Sequence, residues 1–283
     1  MNQSCWNDVE CFRISGTTKA LCQGLAIAFV LLMSSSCTIS GIHADKGGMP
    51  AKGANDATAP ASGRAPILLF NGTGTSANDV AAVETILNSN HLSYSTANSS
   101  QMNEMSEAQL RGYRLLIIPG GNFIDMGRSL NSSTAANIHN AVQNGLNYLG
   151  ICAGAFLAGN SSYYNGLNLT SDVKFGFYSV EEKGIRKAAV EIAVAGAPTL
   201  EHYWEDGPQF TGWGAVVGKY PEGTPAIVEG TSGRGWVILS GVHPEAPAGW
   251  RRGMTFTTPA ETANAYAGTL VKAALDGTSL AHF

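Results

Sequence analysis

Tyr148-Leu149-Gly150-Ile151-Cys152-Ala153-Gly154-Ala155 is an apolar, strand-forming run that ends in Gly-x-Cys-x-Gly and opens into small helix-forming residues. That pattern lifts a cysteine onto a sharp strand-to-helix turn. The flanking glycines allow strained backbone angles and keep Cβ atoms away from an incoming carbonyl group. A lone cysteine is more often a small buried hydrophobe, so its partners decide the reading.

Working back towards the N-terminus, strands and helices alternate. Ile67 to Phe70 reads as a buried strand, followed by the Gly-rich loop Asn71-Gly72-Thr73-Gly74-Thr75-Ser76. Val80, Val83, Ile86 and Leu87 recur at helical spacing and predict a helix over about 78–87. Leu92 to Thr96 reads as a second strand, and Met105 to Leu110 as a short helix capped near Ser106. Leu115 to Ile118 is another apolar strand, stopped by Pro119-Gly120-Gly121, and a helix from Thr134 to Asn144 ends at Gly145. Uniformly apolar strands separated by helices imply an α/β fold, a parallel sheet covered on both faces. Ligands of such sheets bind at the carboxyl ends of the strands, where all three Gly-rich turns fall.

Beyond the cysteine turn, Ala188–Val194, Gly214–Lys219, Pro225–Glu229 and Gly235–Ser240 read as strands, some of them antiparallel additions. Asn264 to Leu275 closes the chain as an amphipathic helix. Gly241-Val242-His243-Pro244-Glu245 follows the strand that ends at Ser240. A histidine there can reach a nucleophile across the sheet, and a carboxylate two residues on can fix its tautomer. Alone, this stretch reads as a surface turn. Beside Cys152 it completes the set that nucleophilic catalysis needs.

The 283 residues are 44% hydrophobic and 13% charged, with a formal charge of -4 and no basic cluster, which argues against nucleic acid as a partner. Lys19 precedes the apolar run Leu25–Met33, which is too short to span a bilayer but suits a secretory signal. Ser34-Ser35-Ser36-Cys37 resembles a bacterial lipoprotein processing site, implying a membrane tether through lipidated Cys37. Cleavage after Ala44 and a retained anchor are the alternatives. The expected organisation is a signal over 1–37, a flexible linker over 38–65 and one domain over 66–283, exported to the periplasm. Loss or lipidation of Cys5, Cys11, Cys22 and Cys37 leaves Cys152 alone in the folded domain, with no disulfide partner.

The motifs together resemble the class I glutamine amidotransferase superfamily, whose triad is Cys, His and Glu on a flavodoxin-like sheet. The chain is most similar to the amidotransferase-like domain at the N-terminus of biotin-protein ligases. The resemblance rests on Asn71–Ser76, Pro119–Gly121, Leu130-Asn131, Tyr148–Gly154, the aromatic-acidic stretch Tyr203–Phe210 and Gly241–Glu245. It implies Cys152 as nucleophile, His243 as base and acid, and Glu245 as orienting carboxylate. It also implies an oxyanion hole from the N–H groups of Gly121 and Ala153, with Gly120, Gly74, Thr75, Tyr203 and Trp204 around the substrate. Glutamine-using members carry a His-Gln pair where this chain has Ala155-Phe156, which points away from glutamine.

The remaining candidates are weaker. His202, among aromatics, reads as packed, and Glu205-Asp206 as either an amine-recognising pair or a solvated turn. The other histidines have no metal-ligand spacing, so no metal or cofactor is expected. Gly233-Arg234-Gly235 reads as a turn, and biotin ligation is not expected. The expected function is a stand-alone cysteine amidohydrolase acting on a small amide or peptide. The alternative is a non-catalytic binding or sensing module on the same fold.

Overall fold

The computed structural model describes residues 65–171, 173–178 and 183–283. The expected signal, Cys37 and the linker up to residue 64 lie outside the described residues. Among those described, no helix is long and apolar enough to cross a membrane.

The chain order is β1 (Ile67–Phe70), α1 (Ala77–Ser89), β2 (Tyr94–Ala97), α2 (Ser99–Glu104), α3 (Glu107–Leu110), β3 (Leu115–Ile118), α4 (Phe123–Ser129), α5 (Ser132–Gln143), β4 (Asn147–Ile151) and α6 (Ala153–Leu157). It continues with β5 (Lys174–Phe177), β6 (Lys187–Val194), β7 (Leu200–Glu205), β8 (Pro208–Thr211), β9 (Ala215–Lys219), β10 (Pro225–Ser232), β11 (Gly235–Ser240) and α7 (Ala260–Asp276). The main sheet is ordered β2-β1-β3-β4-β11-β10-β9-β6-β7. The first five strands in that order pair in parallel, and the next four pair antiparallel. Only β10 and β6 run against the common direction. The sheet is therefore mostly parallel with antiparallel additions in the C-terminal half, as the apolar strand pattern implies.

Both faces of the parallel part are covered, and strand alternation sorts the core into two layers. Ile67, Leu69, Leu115, Ile117 and Ile238 pack on one side with Val83 and Ile86 of α1 and Leu270 and Val271 of α7. Leu68, Phe70, Leu116, Ile118 and Leu239 pack on the other with Met102 of α2, Leu110 of α3 and Ile138 of α5. Strands buried on both sides show no polar alternation, and for that reason they read as continuous apolar runs.

Helix starts follow local capping chemistry. Ser76 Oγ accepts from Asp79 N–H at 3.3 Å at the start of α1, and Asn131 Oδ1 accepts from Thr134 N–H at 2.7 Å at the start of α5. The helix read over Met105–Leu110 is α3, which starts two residues later after its Ser106 cap, and α2 before it is not among the elements read from the sequence. Capping boxes at Asn98/Gln101 and Ser106/Gln109 start each one separately. Helix α7 begins at Ala260, earlier than its apolar period, and ends on Gly277 in the left-handed conformation at φ 61°.

Leu270 of α7 is 1% exposed and packs in the layer that backs β4. Leu270→Ala is expected to cost about 2–5 kcal/mol. Urea unfolding should show a lowered midpoint with an unchanged slope.

Candidate active site

Cys152 stands directly after β4, at its carboxyl end, with φ 50° and ψ -107°. For a residue other than glycine this is strained backbone, worth about 1–3 kcal/mol, and such strain persists only where the surroundings hold it. Its N–H donates to Ser240 O on the neighbouring β11 at 2.8 Å. The flanking glycines do not take the strained angle themselves; Cys152 does, and they supply space. A Cβ on Gly150 would lie 2.6 Å from Gly154 O, and one on Gly154 would overlap Ile118 O of β3. Tyr148 Oη donates to Gly154 O at 2.6 Å and ties strand to helix.

His243 leaves β11, which lies parallel to β4 with Ser240 opposite Ile151. Cys152 and His243 thus leave adjacent parallel strands at the same end. Edge strand β7 also holds this loop, where His243 N–H donates to Tyr203 O at 2.8 Å. The edges of Tyr203 and Trp250 close around the imidazole at 5.8 and 5.7 Å between ring centroids. Nδ1 lies 2.9 Å from Glu245 Oε1. The same nitrogen lies 3.2 Å from Asp79 Oδ1, in the first turn of α1. All three side chains are buried, at 4% exposure for His243, 2% for Glu245 and 7% for Asp79.

The charges follow from that burial. Removal from water works against a charged His243. The Cys152 charge, the Glu245 carboxylate and hydrogen bonds with Asp79 and Cys152 outweigh it and raise the imidazole well above its ordinary range. Burial pushes Glu245 upward, against the pull of His243 and with added repulsion from Asp79. Burial also works to raise Asp79, yet the hydrogen bond and charge of His243 bring it below the usual carboxylate range.

The loop after β3 supplies the facing wall. Gly154 N–H donates to Pro119 O at 3.2 Å, and a Cβ on Gly120 would come within 2.8 Å of His243 Cε1. Gly121, at φ 142°, lies opposite Thr75. Asn122 N–H donates to Gly74 O at 2.8 Å and Ser76 N–H to Gly120 O at 3.0 Å, so Gly74 and Thr75 brace this loop. Among the described residues, the N–H groups of Gly121 and Ala153 donate to no backbone carbonyl.

Cys152 is 6% exposed, and its thiol lies 3.5 Å from Glu205 O of β7 as donor. Among the described residues it is the sole cysteine, and its thiol is free. The Glu205 side chain accepts from Tyr203 Oη, and Asp206 pairs with Arg186, so this acidic pair is engaged within the protein. Trp204 corrects the expectation that it lines the substrate site. It is fully buried, donates from Nε1 to Gly207 O at 3.2 Å and packs edge-on against Tyr178 at 5.7 Å. Strand alternation on β7 sends Tyr203 to the histidine and turns its neighbours away. His202 is likewise packed and fully buried, and burial, with the Arg251 charge, pushes it down to about 3.

Sequence reading missed Asp79 and Trp250. A carboxylate in the first turn after the β1 loop reads as a helix-start residue, and only its place on the carboxyl edge of the sheet hints at more. Trp250 sits in a Pro/Gly turn with no signal. Phe156, one turn beyond Cys152, stacks on Phe123 at 4.5 Å and lies 5.2 Å from Phe177. The ligand atoms of Asp79, His243 and Glu245 lie within 4.8 Å of one another. Glu245 Oε1 holds the hydrogen bond to Nδ1, and Asp79 Oδ1 stands beside it in an ion-pair contact.

Residues 65–185 match the family described as "Biotin-protein ligase, N terminal". The biotin-protein ligase of Schizosaccharomyces pombe is 28% identical over 167 residues, covering 47% of this chain and 26% of the ligase. The chain thus spans about a quarter of that relative. A solved glutamine amidotransferase superposes with a TM-score of 0.51 at 17% identity, covering 64% of this chain and 90% of its own. That likeness is one of fold.

Proposed function

From a class I glutamine amidotransferase-like fold whose first half matches the biotin-protein ligase N-terminal family, we propose that this protein is a cysteine amidohydrolase. The carrying observation is that Cys152 and His243 leave adjacent parallel strands at one end, with His243 Nδ1 held 2.9 Å from Glu245. In this reading the Cys152 sulfur attacks an amide carbonyl and forms the C–S bond, while His243 takes the thiol proton. The negative oxygen is met by the N–H groups of Gly121 and Ala153. His243 then gives its proton to the leaving nitrogen as the C–N bond breaks. Water, deprotonated by the same histidine, hydrolyses the thioester and returns the thiol. Export, with Cys37 as a lipid anchor and 38–65 as a tether, belongs to the same proposal.

A second reading, a binding module without turnover, draws support from the buried thiol and its donation to Glu205 O. A substrate would have to displace that contact.

The test is amine release from a panel of glutamine, asparagine, N-acyl amides with apolar acyl groups and short peptides, with intact-mass detection of an acyl group on Cys152. Turnover that is lost in Cys152→Ala is the expected result. No amine release from any member, together with a Cys152 that neither acylates nor alkylates in the folded protein, would favour the binding module.

A further inference from the structure

His243 Nδ1 faces two carboxylates: it hydrogen-bonds with Glu245 Oε1 at 2.9 Å and lies 3.2 Å from Asp79 Oδ1 in an ion-pair contact. Glu245 follows in the same loop, whereas Asp79 arrives from α1 and is fixed there independently. Its backbone N–H is capped by Ser76, and a Cβ on Gly120 would overlap its Oδ1. The absence of a side chain at Gly120 is what lets Asp79 approach the ring at 3.2 Å.

The two carboxylates occupy unlike surroundings. Glu245 holds the hydrogen bond to Nδ1 with its side chain 1% exposed, against 10% for Asp79, and each keeps one buried oxygen without a hydrogen-bond partner, Glu245 Oε2 and Asp79 Oδ1. Two ionised carboxylates buried side by side repel one another, so holding the more buried one as a neutral acid costs far less. Asp79 sits instead in the first turn of a helix of 13 residues, where the dipole favours a negative charge.

We propose that Asp79 is a positioning residue for His243, carrying the negative charge opposite the imidazolium while Glu245 orients the ring as a neutral acid. This rests on His243 acting as the base for Cys152. Burial pushes both carboxyls up and His243 pulls both down, but only Asp79 ends below its ordinary range, which agrees with the division. The titratable groups around the ring are Cys152 after β4, Asp79 on α1, Glu245 in its own loop and Tyr203 on β7, whose hydroxyl donates to Glu205. Loss of the Asp79 charge weakens the imidazolium. The thiolate paired with it then needs higher pH to form.

The experiment is the rate of Cys152 alkylation by iodoacetamide between about pH 5 and 10 in the full chain, for wild type, Asp79→Asn, Asp79→Glu and Glu245→Gln. In Asp79→Asn the rising limb should move up by about one pH unit, a fall of about tenfold at pH 6.5, with the alkaline plateau unchanged. Asp79→Glu should recover most of that shift, and Glu245→Gln should move the limb by less than about half a unit. A limb that stays in place, or a plateau that drops at every pH, overturns the proposal. Carboxyl ¹³C NMR of the wild type keeps it testable should Asp79→Asn not fold: Asp79 must ionise at lower pH than Glu245, and the reverse order refutes it. A wild-type profile of an ordinary thiol, with no low-pH limb, would instead defeat the Cys152–His243 reading itself.

Discussion

His243→Ala is expected to lower kcat/KM for any amide the protein turns over by about 10⁴-fold or more. The expectation follows from how the ring is held. Nδ1 is committed to Glu245 and Asp79, the backbone N–H to Tyr203 O, and two aromatic edges close the sides, so the remaining nitrogen is the one left for the thiol. No other described histidine replaces it; His202 is packed in the core with both ring nitrogens unpartnered. In the proposed mechanism nucleophile and base act as a unit, so Cys152→Ala with His243→Ala should lose little more than either alone. Steady-state kinetics of the two single variants and the double variant check this, and additive losses would contradict it.

Gly154→Ala should be strongly destabilising. The added methyl would overlap the Ile118 carbonyl at the end of β3, and backbone cannot rotate out of the way as a side chain can. Either β3 separates from the turn or the Gly154 N–H to Pro119 O bond at 3.2 Å breaks. A loss of about 3 kcal/mol or more is expected, the upper end for overpacking a tight site. Gly249→Ala is the control, since a Cβ there meets nothing within 4 Å, and it should stay within about 0.5 kcal/mol. Urea midpoints of the two variants, and Cys152 alkylation in the first, test the claim.

What could be read from residue order was whatever depends on near neighbours. The bounds of β1, β3 and β11 coincide with their apolar runs because both faces are buried and nothing polar interrupts them. His243 and Glu245 are two positions apart, so their hydrogen bond was legible as a motif. Strand β7 was not, because it is an edge strand whose charged Glu201 and Glu205 break the apolar pattern. Asp79 escaped for a different reason: α1 and the β11 loop meet only once the sheet has placed β1, β3, β4 and β11 side by side. The very short α4 and α6 carry too few turns to show a period.

The insertion of β11 beside β4 has a practical side for anyone expressing pieces of this protein. A fragment cut at residue 185, where the family match ends, would retain the thiol and lose both strand β11 and the histidine that follows it. Worse, it would leave β4, a central strand, as a bare apolar edge, the kind of surface that recruits other chains into aggregates. Solubility and the pairing of Cys152 with His243 are therefore lost at the same cut, and the smallest piece worth producing runs on through α7, whose Leu270 and Val271 cover that layer.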